Sequence, residues 1–509
     1  MKILGKSQIG YEISDSFSSG KENSFKTFDP ILNCENSFEI YESSDNDINL
    51  AVQKAKKSFS EFSSINGKIR AGFLLKIAEK LDLNRLFLKE IYCLESALPD
   101  NRAEIELNRT IHQLNEFANL ISQENWNFCS EQKVDFGRKH NPKPHLQKYL
   151  QALGTVVVFG ASNFPFAYST IGGDSASALA AGCPVIVKSH PMHAGTGDLV
   201  AQLVLEAAIE TNMPDGIFSN LNSNGIELGQ KLILHKDIKA VGFTGSFMGG
   251  MSIYRLAQNR EEPIPVFAEM GSVNPIFIFE SVLETNGLVS QLVNSIQLNA
   301  GQFCTNPGLI ILVETPKSVA FVEDLKVLLG RQDSQAMLHP NIFKKYSENA
   351  GKIENLESVL QLVKTKDLKA NFSYPKLSFC SSKTFLESEH LQEEVFGAHS
   401  LIVSCKNELE FLKISEYLKG QLTASIFSNE EDLVRNSDFL KQINQKVGRL
   451  IWNGIPTGVE VCESMTHGGP FPATTDSRFT AVGKDAIFRF LRPITYQNFS
   501  TKILNLLIS

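Results

Sequence analysis

A cysteine, a carboxylate and an amide, each in a turn-rich segment beside an apolar run, are the residues of this chain best suited to chemistry. Cys304 lies in NAGQFCTNPG, after a predicted helix and before a predicted strand, with Gly301, Pro307 and Gly308 around it. Such a loop exposes a thiol and sets its own backbone N–H beside a reacting carbonyl. The alternative is a small buried hydrophobe, the common fate of a free cysteine. Glu269, in VFAEMGSVNP, ends the apolar run 264–268 and is followed by Gly271. That placement suits a general base at a crevice, or equally a solvated capping carboxylate. Asn163, in GASNFP, can donate its amide to a developing oxyanion or close an Asx turn before Phe164-Pro165. The segment FTGSFMGG (243–250) leads a strand into a helix through Thr244, Gly245 and Ser246. Glycine there lets the backbone approach a phosphate at a helix N-terminus. No G-x-G-x-x-G fingerprint occurs in this region, so an ordinary Rossmann signature is missing.

The elements that must position these residues follow from periodicity. Ile48, Ala51, Val52, Ala55, Phe59 and Phe62 fall at helical spacing, Ile69, Phe73, Ile77 and Leu81 repeat it, and 105–121 gives a third amphipathic helix. TVVVF (155–159) predicts a buried strand, GGDSASALAAG (172–182) a helix, PVIVK (184–188) a strand, and the next helix runs to about Glu210. GIFSN (216–220) and KAVGF (239–243) are further strands. This alternation predicts an α/β fold with a parallel, doubly wound sheet, whose ligands bind at the carboxyl ends of the strands. A second α/β region starts at PIFIF (275–279), continues as a helix over 282–302 and returns as GLIILV (308–313). The polar stretch around Pro142 and Pro144 predicts a hairpin leaving the main body, and the tail from 465 wraps back over it.

Composition sets the outer limits. A chain of 509 residues is expected to split into two or three domains. With a formal net charge of -7 and no basic block, nucleic acid is not an expected partner. No apolar run reaches the roughly 18 residues of a membrane span, and MKILGKSQIGYEISD lacks a signal-peptide core. A cytoplasmic location is the resulting expectation. The eight cysteines include no C-x-x-C pair, and no His or Cys cluster has metal-ligand spacing, so free thiols and no metal are expected.

Taken together and in order, Asn163, Lys188, FTGS (243–246), Glu269 with Gly271, Cys304 and EEVFG (393–397) resemble the aldehyde dehydrogenase superfamily, over about residues 39–499. The resemblance implies two doubly wound α/β domains plus a small oligomerisation hairpin. Residues 1–132 and 153–271 would form the dinucleotide-binding domain, 272–464 the catalytic thiol domain, and 133–152 with 465–509 the oligomerisation and tail segments. It further implies that Cys304 attacks an aldehyde, that Asn163 and the Cys304 N–H hold the oxyanion, and that Glu269 activates water to release an acid from the thioester. Lys188, His190, Gly225, Thr244, Gly245, Ser246, Gly271, Glu394 and Phe396 are the implied cofactor contacts. The implied cofactor is NADP⁺ or NAD⁺, and the implied assembly a homodimer or homotetramer.

Several positions depart from the family pattern. Ser162 stands where many relatives have Trp, Ser272-Val273 where Gly-Lys is usual, and Ala398 where Pro is usual. Pro191 stands where NAD⁺-specific relatives often carry Glu, which with Lys188 and His190 tilts the expectation to NADP⁺.

Within the superfamily, GASNFPFAYSTIGGDSASALAAGCPVIVKSHP and the tail PTGVEVCESMTHGGPFPATTDSRFTAVG resemble the 2-oxoglutarate semialdehyde (2,5-dioxopentanoate) dehydrogenase branch. A dioxo acid asks for a cationic or hydroxyl-rich group in the funnel, for which Arg478, Thr475 and Ser477 are candidates. The same branch holds NADP⁺-linked fatty-aldehyde dehydrogenases, which would want an apolar funnel from Phe164, Phe166, Phe303 and Phe471. A different class, a cysteine hydrolase pairing Cys304 with His467, leaves the carboxylate base and the dinucleotide-type loops without a purpose. A catalytically silent relative would have no need of Cys304, Glu269 and Asn163 together.

Overall fold

The valine run at 156–158 has no polar position to turn toward solvent, so it must lie between two covered faces. In the computed structural model, which describes residues 1–14, 23–138, 140–363 and 369–508, it does. Thr155–Phe159 is an interior strand of a seven-stranded sheet. In spatial order the sheet runs Val266–Glu269, Ile238–Thr244, Thr155–Phe159, Val185–Lys188, Phe218–Leu221, Gln8–Ile9 and Glu12–Ile13. The first five are parallel, and the N-terminal pair closes the edge in antiparallel fashion. Chain order reverses between Thr155–Phe159 and Ile238–Thr244, so the loops leaving their carboxyl ends diverge and open a crevice. Register sets Lys188 beside Phe159 and Thr244 beside Glu269 at that edge.

Helices Asp45–Ser64, Gly67–Leu83, Arg85–Ser96 and Asp100–Ile121 precede the parallel strands. The first begins at a capping box between Ser44 and Asp47, and its apolar stripe, Ile48, Ala51, Val52, Ala55 and Phe62, is buried. In the second, Phe73, Ile77 and Leu81 are buried as their spacing predicts, whereas Ile69 faces outward. The tight helix Gly173–Ala181 packs small residues against the sheet.

The second sheet runs Leu360–Gln361, Lys376–Ser381, His399–Cys405, Leu309–Val313, Ile276–Ile278, Gln421–Phe427 and Val447–Trp452, parallel except for its first strand. The chain is therefore mixed α/β with two parallel-sheet cores. One helix is shorter than its periodicity suggests: Leu288–Gln297 replaces the expected 282–302. Gly287 caps it with a φ of 83°, and Asn299, Ala300 and Gly301 are all left-handed, with φ of 49°, 55° and 70°. Consecutive left-handed residues cannot continue a right-handed helix. The hairpin expected near 133–152 is built from Phe128–Gln132 and Leu146–Ala152, and the tail adds Leu491–Gln497 as a third antiparallel strand. Of the segments proposed from sequence, positions 15–22, 139, 364–368 and 509 lie outside the described residues.

Candidate active site

The left-handed turn at 299–301 delivers Cys304. A Cβ on Gly301 would stand 2.3 Å from the Ala398 nitrogen, so only glycine lets this loop rest on the 397–398 backbone. Asn306 locks the contact by donating its amide to Gly301 O at 2.8 Å and Gly397 O at 2.9 Å. Asn274, itself left-handed at φ 45°, donates to Cys304 O at 2.8 Å and to Asn306 O at 2.9 Å, while its own carbonyl accepts from Thr423 Oγ1. The backbone around Cys304 is thus fixed by two buried amides, leaving the thiol half-buried in the loop.

Asn163 is buried and donates one amide hydrogen to Gln302 O at 3.0 Å, beside the Cys304 loop. An amide has two hydrogens, so one remains for an oxyanion. The loop that carries Asn163 is tied from both sides. Buried Glu106 accepts from Phe166 N and Ala167 N at 2.8 and 3.0 Å, and His193 Nε2 lies 2.9 Å from Ala161 O.

Glu269 ends its strand where sequence places it, 3% exposed. Its Oε1 accepts from Arg489 Nη2, and Arg489 Nη1 reaches Asp174 Oδ1 at 3.0 Å. Oε2 has no protein partner. Burial raises the Glu269 carboxyl to about 7, against the opposing pull of the Arg489 cation. Such a group exchanges a proton readily near neutrality. Cys304 is pushed up to about 12, chiefly by burial and then by Glu394 and Glu269, so it rests as a thiol. His467 Nε2 is 3.6 Å from its Sγ. Burial and the cations Arg109, Arg449 and Arg489 hold His467 down to about 3, which makes it a neutral neighbour and disfavours the thiolate–imidazolium pair a cysteine hydrolase uses.

On the crevice side, a narrow cleft adjoins the thiol loop, with Ser272, Phe303, Glu394 and Phe396 in its walls. A Cβ on Gly271 would stand 2.1 Å from Glu394 Oε2, so the carboxylate needs that glycine. Burial raises Glu394 to about 7, and the Ser272 N–H opposes this. Lys188 Nζ donates to Ser223 O at 2.6 Å, and burial lowers it to about 8. Ser246 caps helix Phe247–Gln258 by accepting from Gly249 N at 3.3 Å, and Thr244, Gly245 and Ser246 sit at its open end. Gly225 belongs to the loop after Phe218–Leu221, its N–H donating to Ser223 Oγ at 3.1 Å. His190 caps the short 3₁₀ turn Pro191–His193 by accepting from Met192 N, and burial with its neighbours His193 and Lys188 drives its pKa well down. Its charge is therefore lost at neutral pH, and of the two residues offered for a 2′-phosphate only Lys188 remains cationic.

The substrate candidates scatter. Phe164 and Phe303 meet edge to face at 5.7 Å, with Arg102 over both rings. Phe166 instead stacks on Tyr92 at 4.8 Å in the core, and exposed Phe471 packs against Phe247. Arg478 is exposed with its charge met by Asp476 at 2.8 and 2.6 Å, and Thr475 uses its hydroxyl on the 266–268 strand. Ser477 is exposed in the same turn. The arginines that do stand near the thiol, Arg109 and Arg449, carry no motif that sequence reading could have used. Asn274 had one, the NP of EMGSVNP.

Among the described residues no group of three His, Cys, Asp or Glu could hold a metal, and no helix is long and apolar enough to cross a membrane. A model of the aldehyde dehydrogenase family matches residues 17–471. Alpha-ketoglutaric semialdehyde dehydrogenase 2 of Azospirillum brasilense is 37% identical over 99% of this chain and 96% of its own length. Alpha-ketoglutaric semialdehyde dehydrogenase of Acinetobacter baylyi is 39% identical over 90% and 88%. Among solved structures, betaine aldehyde dehydrogenase of Staphylococcus aureus in complex with NAD⁺ superposes with a TM-score of 0.82 at 18% identity, covering 97% of each chain. By this family match and by the identity to these relatives along most of its length, the chain belongs to the aldehyde dehydrogenase family.

Proposed function

We propose that this enzyme oxidises 2,5-dioxopentanoate to 2-oxoglutarate with NAD(P)⁺, through a thioester on Cys304. The observation that carries the substrate is the 37–39% identity, along nearly the whole chain, to two alpha-ketoglutaric semialdehyde dehydrogenases. The chemistry rests on Cys304, Asn163 and Glu269 meeting around one half-buried thiol.

The Cys304 thiol gives up its proton to solvent as it reacts, since His467, held down to about 3, is a poor acceptor, and Glu269 stays free for the second step. The thiolate adds to the aldehyde carbon, and the free hydrogen of the Asn163 amide joins the Cys304 N–H in holding the oxyanion. Each such donor contributes roughly 3–4 kcal/mol to the transition state. The bound nicotinamide supplies the hydride acceptor. Glu269 Oε2, which has no protein partner, then takes a proton from the water that cleaves the thioester.

The residues around the crevice fit such a cofactor. Helix Phe247–Gln258 presents unsatisfied N–H groups for a pyrophosphate behind Gly245 and Ser246. Glu394, seated over Gly271, would take one ribose and Lys188 the other, with Phe396 against the ring. Residues 1–132 with 153–271 would carry the dinucleotide and 272–464 the thiol. Lys188 with no carboxylate at Pro191 supports NADP⁺ beside NAD⁺. The antiparallel sheet of 128–132, 146–152 and 491–497 is the surface we assign to a homodimer or homotetramer, and the cytoplasm is the proposed location.

The decisive assay follows reduced cofactor with 2,5-dioxopentanoate and with decanal, each with NAD⁺ and NADP⁺. A higher kcat/KM for the dioxo acid is expected. A preference for decanal would overturn the substrate and move the enzyme to fatty aldehydes.

A further inference from the structure

Buried cations ordinarily come with buried anions, because an uncompensated charge in a low-dielectric site costs several kcal/mol. The arginines around this thiol obey the rule selectively. Arg489 is balanced by Asp174 and Glu269, and Arg102 by Glu106 at 3.2 Å. Arg109 and Arg449 are different. Both are half-buried, and among the described residues neither meets a carboxylate. Arg109 donates to Tyr168 OH at 3.1 Å and to Val459 O. Arg449 donates to Gly458 O at 2.8 Å and to Pro456 O. A guanidinium has five N–H groups, so donors remain on each.

Their position ties them to the reaction. Tyr168, which carries Arg109 on its hydroxyl, stacks edge to face on Phe164 at 5.0 Å and lies 6.2 Å, ring to ring, from His467. His467 in turn touches the Cys304 thiol. Each guanidinium lies within Coulombic reach of the Cys304 thiol. Beside Arg109 and Tyr168 lies a small pocket also lined by Gln113, a buried amide whose Nε2 has no protein acceptor. The segment 456–461, held by Arg449, Arg109 and by His112 at 3.1 Å from Val461 O, forms the wall between them.

We propose that Arg109, with the Tyr168 hydroxyl and Arg449, forms an anion subsite that takes the carboxylate at the far end of an aldehyde substrate whose carbonyl carbon sits on Cys304. This rests on the reaction proposed above and adds to it the group that selects carboxylate-bearing aldehydes. Four carbon–carbon bonds of about 1.5 Å each separate the two ends of 2,5-dioxopentanoate. The subsite therefore has to lie one side chain away from the thiol, as Tyr168 and His467 place it. A neutral aliphatic aldehyde would cover both half-buried guanidiniums without giving them a counter-ion.

The test compares wild type with Arg109→Gln, Arg109→Lys and Arg449→Gln on 2,5-dioxopentanoate, succinate semialdehyde and pentanal. The readout is the ratio of kcat/KM for each acid to that for pentanal, with glutarate as a competitive inhibitor. Losing one buried, hydrogen-bonded charge pair lowers the ratio by about 100-fold in Arg109→Gln and weakens glutarate in parallel. Arg109→Lys restores part of the ratio. Equal losses on acid and pentanal would overturn the subsite, since the arginines would then only brace the 456–461 wall. If wild type prefers the dioxo acid and the Gln variants keep that preference, the subsite falls while the substrate stands. If wild type prefers succinate semialdehyde and Arg109→Gln loses it, the substrate falls while the subsite stands.

Discussion

Two arginine-bearing regions flank the Cys304 thiol, and they are built on opposite principles. On the base side, Arg489 is 2% exposed and lies between two buried carboxylates, Asp174 and Glu269, so the charge is balanced within the protein. On the funnel side, Arg109 and Arg449 are held by carbonyls and a phenol, and the balance is left open. A closed network fixes a group that must be in the same place every turnover. An open one gains its last partner only when a ligand arrives. The contrast separates machinery that acts on any aldehyde from machinery that chooses among them.

Removing the thiol tests that separation most severely. Cys304→Ala should lower oxidation by at least about 10⁴-fold, as loss of a covalent nucleophile does elsewhere. Glutarate should still bind, as read by calorimetry, because the arginines are untouched. Loss of glutarate binding together with activity would mean that the two regions are one unit. Glu269→Gln comes next. Removing a general base costs about 10²–10⁴-fold, and the loss should fall on the steady state, after a burst of reduced cofactor from the first acylation. A variant with neither burst nor turnover would place Glu269 in thiol deprotonation as well.

The base side also shows what sequence can and cannot reveal. Glu269, Cys304 and Asn163 were legible only together: each alone had a plain structural alternative, and it was their order along the chain with Lys188, FTGS and EEVFG that resembled one family. Arg489 was not, because its partners Asp174 and Glu269 lie 315 and 220 residues away, and no local pattern encodes a contact of that range. The parallel sheets were read from their valine and isoleucine runs. The third strand of the small sheet, Leu491–Gln497, was missed, since Pro493 interrupts it and none of its residues is buried. The left-handed turn at 299–301 was hidden inside a helical pattern that ran on too far. Arg478 attracted attention as a cation in a turn, yet two residues upstream Asp476 already satisfies it.

Arg489 gives the next prediction. Its cation favours the ionised form of Glu269, against burial. Arg489→Leu should therefore move the carboxyl further up from about 7, carrying the acid limb of the kcat profile to higher pH and lowering the rate at neutrality by roughly 10-fold, one such unit. Arg489→Lys keeps the charge and should keep the limb near its original place, which separates an electrostatic role from a packing one. An unshifted limb in Arg489→Leu would show that Glu269 titrates independently of the pair.

The smallest effect is expected at Asp174, and its sign is opposite. Asp174 acts on Glu269 twice: its negative charge raises the neighbouring carboxyl directly, and its hold on Nη1 shares out the guanidinium. Asp174→Asn removes the charge while keeping a shape that still accepts from Arg489. Both consequences stabilise the ionised form of Glu269, so the acid limb should move to lower pH. A few-fold gain in kcat at pH values below about 7, with no change at alkaline pH, is the expected profile. Because Asp174 is bonded to Arg489 and to neither Arg109 nor Arg449, the ratio of dioxo acid to pentanal should not move at any pH. A shifted ratio would mean that the base side and the funnel side share one electrostatic network, and the division drawn between them would fail.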